Sequence, residues 1–94
     1  MDDGRFQWDD RKAASNYAKH GVTFEAARDV FKDAFAIEEI DDREIYGEER
    51  CVLIGMASGR PLAVVYTMRG ERVRLISARG AEPYEQREYH EKNI

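Results

Sequence analysis

The stretch that decides the fold is Leu62-Ala-Val-Val-Tyr-Thr-Met-Arg69, which continues after Gly70-Glu71 into Arg72-Val-Arg-Leu-Ile-Ser-Ala-Arg79. Both runs are rich in apolar and β-branched residues, and the short link between them predicts two antiparallel strands joined by a tight turn. Four arginines lie within the eleven residues from Arg69 to Arg79. Because an arginine is costly to bury without a partner, these side chains are expected to face solvent or a ligand.

Side-chain alternation predicts where the arginines of the second strand point, because successive residues of a strand face opposite sides of the sheet. Two sets of residues follow, each sharing one face: Arg72, Arg74, Ile76 and Ala78, and Val73, Leu75, Ser77 and Arg79. The second set is predicted to face the core, with Arg79 at the strand end, where its charge can reach solvent. Arg74 is therefore predicted to lie mid-strand on the open face of the sheet.

The N-terminal part of the chain has helical periodicity. Asp9 or Asp10 is predicted to N-cap a helix that runs through Lys19 or His20, with Gly21 as a left-handed stop. A second amphipathic helix is predicted over 24–35. Because only Gly21 and Val22 lie between the first helix and Thr23, the predicted N-cap of the second, the helices are expected to form a tight hairpin.

After residue 35 the pattern changes to that of strands. Strands are predicted at 36–40, 50–57, 62–69 and 72–79, with Phe6-Gln-Trp8 as an edge-strand candidate and 41–49 as a charged loop. Pro83 suits the first turn of a final helix that extends to Lys92. The sequence thus predicts one α+β domain over 1–94, with an N-terminal helical hairpin, an antiparallel sheet of three to four strands, and a C-terminal helix.

Composition excludes several classes of protein. The 94 residues suffice for one modest core, and 43% hydrophobic with 36% charged residues describes a soluble globular chain. No apolar run approaches the roughly 18–20 residues that span a bilayer, and no secretory signal is recognised, so no membrane contact is expected. Cys51 is the single cysteine, which excludes an internal disulfide and predicts a cytoplasmic protein. With two histidines and one cysteine, a zinc site is not expected.

The charge is distributed unevenly. The net charge is −4, yet residues 1–49 hold seven basic and fourteen acidic side chains, whereas residues 50–94 hold eight and five. A local cationic patch can still bind phosphate, since charges beyond roughly 8–10 Å are screened at physiological salt. The acidic region 38–49 can equally serve as a dock for a basic partner. This balance favours a local anion site over extended tracking along a nucleic acid.

A series of short motifs follows one after another along most of the chain: Phe6-x-Trp8-Asp9, Lys19-His20-Gly21-Val22, Phe24-x-x-Ala27, Val30-Phe31-x-Asp33, Gly47-Glu-Glu-Arg50, Ile54-Gly55, Val65-Tyr66-Thr67 and Ile76-Ser77-Ala78-Arg79-x-Ala81. Together with Glu85 and Tyr89, this set resembles the BrnT family, the toxin components of type II toxin–antitoxin systems. The chain departs from the family at Gly80 and Gln86, where members often carry a basic residue, so its C-terminal helix is less basic than expected.

The resemblance implies a compact RelE-like fold and a cytotoxic endoribonuclease that needs neither metal nor cofactor and inhibits translation and growth. It also implies a partner, a small DNA-binding antitoxin of the BrnA kind that neutralises the toxin and represses their shared operon. DNA would then be contacted only through that antitoxin.

Metal-free RNA cleavage proceeds by attack of the 2′-OH on the adjacent phosphate, and it requires cations at the developing negative charge. Arginine suits this role because its fork matches a phosphate and keeps its charge, which also makes it a poor base. Arg74 and Arg79 are the leading candidates, and Arg69, Arg50 and Lys19 are candidate RNA contacts. Arg50 can instead pair with its acidic neighbours.

Proton transfer has three candidates. His20 can act as general acid or base, or it can simply stabilise the C-terminus of its helix. Glu85 and Tyr89 are four residues apart on one helical face, so they can converge on one site. Glu85 can act as a base or orient an arginine, while Tyr89 can stack on a base, donate its hydroxyl, or anchor the final helix.

Two other functions remain open on the sequence. The same cations suit a non-catalytic module that binds RNA or the ribosome. The chain can also act mainly as an interaction protein that controls transcription together with a DNA-binding partner.

Overall fold

The computed structural model describes residues 1–41 and 47–94. Within these ranges the chain forms five strands and three helices, in the order β1 (Phe6–Gln7), α1 (Asp10–His20), α2 (Phe24–Val30), β2 (Ile37–Asp41), β3 (Arg50–Ala57), β4 (Arg60–Arg69), β5 (Arg72–Gly80) and α3 (Pro83–Lys92). Residues 42–46, which belong to the predicted charged loop 41–49 and to the predicted acidic dock 38–49, lie outside the described residues.

The sheet differs from the predicted one in size and in strand direction. Its order is β1-β5-β4-β3-β2, and β2 to β5 form an antiparallel meander. β1 joins as a fifth strand, parallel to β5, with Phe6 opposite Val73 and Gln7 opposite Arg74. The prediction of three to four antiparallel strands is therefore wrong. The two residues of β1 are too few to show strand alternation, and nothing local signals their pairing with the far end of the chain.

The predicted N-terminal helical hairpin is also wrong, and with it the RelE-like arrangement built on that hairpin. α1 makes its main contacts with β5, and α2 makes its main contacts with β3. α2 ends at Val30 instead of continuing to residue 35. The chain turns there because the Asp33 carboxylate accepts hydrogen bonds from the N–H groups of Phe35 and Met56, both at 2.8 Å.

Local capping fixes the ends of α1 as the sequence predicts. The Asp9 side chain accepts from the N–H groups of Arg11 and Lys12 at the N-terminus of the helix. Gly21 closes the C-terminus with a left-handed φ of 68°. These local contacts place Lys19 and His20 in the last turn of α1.

The core lies between the sheet and the helices α1 and α2. Its buried members come from α2, from four of the strands and from the links on either side of α1, and Ala13 of α1 packs against them: Phe6, Trp8, Val22, Phe24, Ala27, Val30, Leu53, Ala57, Leu62, Val64, Tyr66, Val73, Leu75 and Ala78. Gly55 permits the close approach of the α2–β2 connection, since a Cβ there would lie 3.0 Å from the side chains of Ala36 and Val30.

A register shift between β4 and β5 changes the predicted faces of the arginines. Val65 pairs with Ser77 and Tyr66 pairs with Leu75, so Ile76 is an extra residue in β5. After this bulge the alternation is offset by one position. Ala78 is consequently buried in the core with 0% exposure, and Arg79 lies on the opposite face of the sheet. The predicted assignment of Ala78 to the open face and of Arg79 to the core face is therefore wrong.

Candidate nucleic-acid interface

The open face, defined here as the face of the sheet opposite α1 and α2, carries three rows of cross-strand neighbours. The rows contain Asp41, Arg50, Thr67, Arg74 and Gln7; then Glu39, Val52, Val65 and Ser77; then Ile37, Ile54, Ala63 and Arg79. α3 packs against β3 on this side, and Ile54 and Ala63 in the third row are fully buried. Apart from the buried Thr67, the residues of the first two rows are only partly buried, among them Arg74 and Ser77.

Arg74 lies in the first row, on the open face as its alternation predicts. Its Nη1 donates to Oε1 of Gln7 in the neighbouring strand at 3.2 Å. Thr67, which pairs with Arg74 on the other side, is buried and donates its hydroxyl to the Glu49 carbonyl at 2.6 Å. A neutral amide thus orients the Arg74 guanidinium group without cancelling its charge.

Arg79 and Glu85 form a bidentate ion pair between β5 and α3. Nη1 and Nη2 of Arg79 donate to the two carboxylate oxygens at 2.7 and 3.1 Å, and Glu85 is only 2% exposed. Burial raises the pKa of the Glu85 carboxyl, but the hydrogen bonds from Arg79 and from the Glu82 N–H outweigh burial, so the pKa is lowered. The hydrogen bond to Glu85 in turn raises the pKa of Arg79. Glu85 is therefore placed to orient Arg79.

Tyr89 is directed away from the arginines. Its hydroxyl donates to Oδ2 of Asp33 at 2.7 Å, and this hydrogen bond raises the pKa of Tyr89. Because Asp33 lies between α2 and β2, the contact ties the C-terminal half of α3 to the opposite end of the sheet. The predicted convergence of Glu85 and Tyr89 on one site is not seen, as each side chain binds a different partner.

Lys19 and His20 line a groove along the edge of β5, between this strand and α1. This edge groove has a volume of about 210 Å³ and is formed by Lys12, Ser15, Asn16, Lys19, His20, Ile76 and Ser77. Ser77 also belongs to the second row of the open face, so the groove and the open face meet at this residue. His20 thus lies in the groove with Lys12 and Lys19, and neither Arg79 nor Glu85 lines this groove.

Arg50 and Arg69 both approach Glu48. Nη2 of Arg50 is 3.8 Å from one Glu48 carboxylate oxygen, and Nη2 of Arg69 is 4.0 Å from the other. Arg50 is the β3 member of the first row, whereas Arg69 lies at the exposed end of β4. The sequence-based pairing of Arg50 with an acidic neighbour is thus seen for Glu48, at the edge of the open face.

Sequence reasoning missed four residues that shape this surface: Gln7, Asn16, Asp33 and Ser77. Gln7 and Ser77 acquire their places through parallel pairing and a bulge, which leave no local pattern. Asn16 carried a usable signal, because a polar residue on the buried side of a helix needs hydrogen-bond partners. Its amide bonds to both backbone groups of Ala78, at 2.9 and 3.0 Å.

The structure defines a small domain of mixed α and β structure that carries cations on an open sheet face and along its edge. The comparison with protein families is more specific. The model described as "Ribonuclease toxin, BrnT, of type II toxin-antitoxin system" matches residues 8–85, and the chain belongs to this family. The resemblance seen in the motifs is thereby confirmed.

Family membership supports a toxin and ribonuclease role and implies an antitoxin partner. The search of curated proteins found no match. Among the residues that the structure describes, no helix is long and apolar enough to cross a membrane.

Proposed function

We propose that the protein is a cytoplasmic endoribonuclease toxin that cleaves RNA on its open face by 2′-OH attack, without a metal ion, and so inhibits translation and growth. The observation that carries the proposal is the placement of Arg74 and Arg79. Both guanidinium groups lie on the same face of β5, and each is held by a partner of its own.

The two arginines serve different phosphates. Five residues of extended strand separate them, which corresponds to about 15 Å between their backbone positions. Arg79 forms an ion pair with Glu85, whereas Arg74 has a neutral partner in Gln7. Among the described residues, no carboxylate lies within 4.0 Å of the Arg74 guanidinium group. We therefore assign Arg74 to the cleaved phosphate and Arg79 to a neighbouring one.

Proton transfer falls to His20 in this scheme. Arginine does not lose its proton, Glu85 is buried in an ion pair, and Tyr89 donates to Asp33. His20 lines the edge groove, which reaches the open face at Ser77. Lys19 in the groove and Arg50 in the first row contact the RNA backbone on either side, with Arg69 as an outer contact.

The partner is proposed to be a small DNA-binding antitoxin, as the family implies for type II systems. The toxin then reaches DNA only through this partner. Neutralisation by masking requires that the antitoxin cover the open face, where Arg74 lies.

The test uses purified folded protein and RNA labelled at one end. Cleavage is measured in excess chelator, once with ribosomes and once without them. We expect cleavage that persists in chelator and leaves a 2′,3′-cyclic phosphate, and no cleavage where the attacking 2′-OH is replaced by hydrogen. RNA that stays intact under both conditions contradicts the enzymatic function. Cleavage that stops in chelator contradicts the metal-independent mechanism.

A further inference from the structure

The edge of β5 is covered by two different elements. β1 pairs with it only at Val73 and Arg74. Beyond that point α1 takes over through Asn16, whose amide nitrogen donates to the Ala78 carbonyl at 2.9 Å and to the Val22 carbonyl at 3.0 Å, while its oxygen accepts from the Ala78 N–H at 3.0 Å. With 8% exposure, Asn16 fixes α1 firmly beside the strand edge.

This anchoring determines which side chains of α1 face the edge groove. Residues three and four positions apart lie on the same side of a helix, so Lys12, Lys19 and His20 share the side of Asn16. All of them line the groove, and its lining contains no carboxylate. Within the described part of the chain, no acidic oxygen lies within 4.0 Å of the amino groups of Lys12 and Lys19.

The groove also continues into the proposed catalytic surface. Ser77 sits at the β5 bulge, so it lines the groove and also lies between Arg74 and Arg79 on the open face. Three residues of strand, about 10 Å, separate Arg74 from Ser77. A polynucleotide at Arg74 therefore reaches the groove within one or two nucleotides.

We propose that the edge groove is a second RNA subsite, in which Lys12 and Lys19 bind backbone phosphates next to the cleaved bond while the strand crosses β5 at Ser77. The inference rests on the proposed ribonuclease function and adds Lys12, Ser15 and Ser77 to the surface that RNA contacts. The N-terminal half has fourteen acidic and seven basic side chains and so repels a polyanion overall, which means that a local cluster of cations is needed to direct the RNA strand.

An acidic segment of the antitoxin is the other ligand that these lysines could bind. RNA is favoured because the groove opens onto the face that carries Arg74 and Arg79, and because its small volume suits single phosphate groups.

The test compares the K12Q/K19Q variant with the wild type and with K32Q/K92Q. The control removes the same charge at Lys32 and Lys92, which lie outside the groove lining. Binding of an octanucleotide RNA, made uncleavable by 2′-O-methyl groups, and of a dinucleotide is measured across a salt series. Urea denaturation verifies that every variant is folded.

For the octanucleotide we expect K12Q/K19Q to bind about 25-fold more weakly at 0.1 M salt, with a salt slope lower by about 1.4, which corresponds to two lost phosphate contacts on a single strand. The dinucleotide should lose less affinity, and K32Q/K92Q should retain the wild-type slope. Equal losses in the two double variants, or an unchanged octanucleotide affinity, would overturn the subsite.

A further arm measures antitoxin binding with the same variants. If K12Q/K19Q loses antitoxin affinity but keeps its RNA affinity, the groove binds an acidic protein segment and the RNA subsite is refuted. Cleavage by the wild type is measured in parallel. If the groove binds uncleavable RNA but the protein cleaves no RNA, only the ribonuclease function is refuted. A wild type that binds no octanucleotide refutes the subsite as well.

Discussion

The carboxylate of Glu85 binds Arg79 through both of its oxygens, at 2.7 and 3.1 Å, and one of these oxygens also accepts the Glu82 N–H at 2.8 Å. The second contact belongs to a capping box at the start of α3. One buried carboxylate therefore positions an open-face arginine and fixes the helix that covers the third row of the sheet.

Replacing Glu85 with glutamine should weaken both roles. The variant E85Q keeps the shape of the side chain but loses the charge-assisted hydrogen bonds, so the free energy of unfolding should fall by about 1–3 kcal/mol. At a temperature where the protein is still folded, kcat should fall about 10–100-fold because Arg79 is no longer held in position. Urea denaturation and single-turnover RNA cleavage measure the two effects.

The matched control for this variant is E91Q, which removes an exposed carboxylate from the same helix. It should change the free energy of unfolding by no more than about 0.5 kcal/mol. A normal kcat in folded E85Q would mean that Glu85 has only a structural role.

Stability should decrease in acid because several carboxyl groups have a lowered pKa in the folded protein, and Asp33 and Glu85 are the ones that hold elements of the fold together. Burial raises the pKa of Asp33, but the hydrogen bonds from the N–H of Met56, the hydroxyl of Tyr89 and the N–H of Phe35 together lower it by more. The pKa of Glu85 is likewise raised by burial and lowered by more through its hydrogen bonds, above all those from Arg79. A lowered folded-state pKa gives stability that is present above the ordinary carboxyl pKa near 4 and is lost as pH falls through the lowered value.

Urea denaturation between pH 3 and pH 7 checks this expectation. The free energy of unfolding should be nearly flat from pH 7 to about pH 5 and should then fall. In E85Q the decline should be shallower, because one of the responsible groups no longer titrates. An identical pH dependence in the two proteins would show that Glu85 does not contribute.

Asn16 should be important for stability although it lies in a short surface helix. The variant N16A leaves the N–H and the carbonyl of Ala78 without their side-chain partner in a buried position, which should cost about 2–4 kcal/mol. The neighbouring variant S15A removes an exposed hydroxyl and should cost less than about 0.5 kcal/mol. Similar denaturation midpoints for the two variants would contradict the proposed role of Asn16 at the edge of β5.

How far the fold could be predicted depended on the range of the contacts involved. The ends of α1 were predictable, because Asp9 and Gly21 act on backbone groups a few residues away. The parallel pairing of Gln7 with Arg74 was not, because 67 residues separate the partners and β1 has only two residues. The early end of α2 at Val30 was also missed, since it depends on the contact of Asp33 with β3.

The residues of the candidate site were likewise predictable only where local rules decide their position. Arg74 lies before the bulge, so simple alternation placed it on the correct face. Arg79 lies after the extra residue Ile76, so the same rule assigned it to the wrong face. A single inserted residue reverses every later side chain of a strand, and nothing in the sequence of β5 marks the insertion.

Arg74 and Arg72 offer the sharpest test of the catalytic assignment, because both are arginines of one strand and differ in their surroundings. Arg72 is 46% exposed on its side chain and pairs with Asp2 at 3.0 Å, whereas Arg74 lies mid-strand beside Gln7. R74A should lower the single-turnover cleavage rate about 10²–10³-fold, the usual effect of losing one donor to the transition state. R74K should fall between R74A and the wild type, because lysine keeps the charge but not the fork.

R72A should retain the cleavage rate within about twofold, since an exposed ion pair contributes little. Equal losses in R72A and R74A would mean that only the overall charge of β5 matters. A folded R74A that binds RNA normally yet cleaves it slowly would place Arg74 at the reacting phosphate, whereas a loss confined to binding would make the open face an RNA-binding surface and move the chemistry elsewhere.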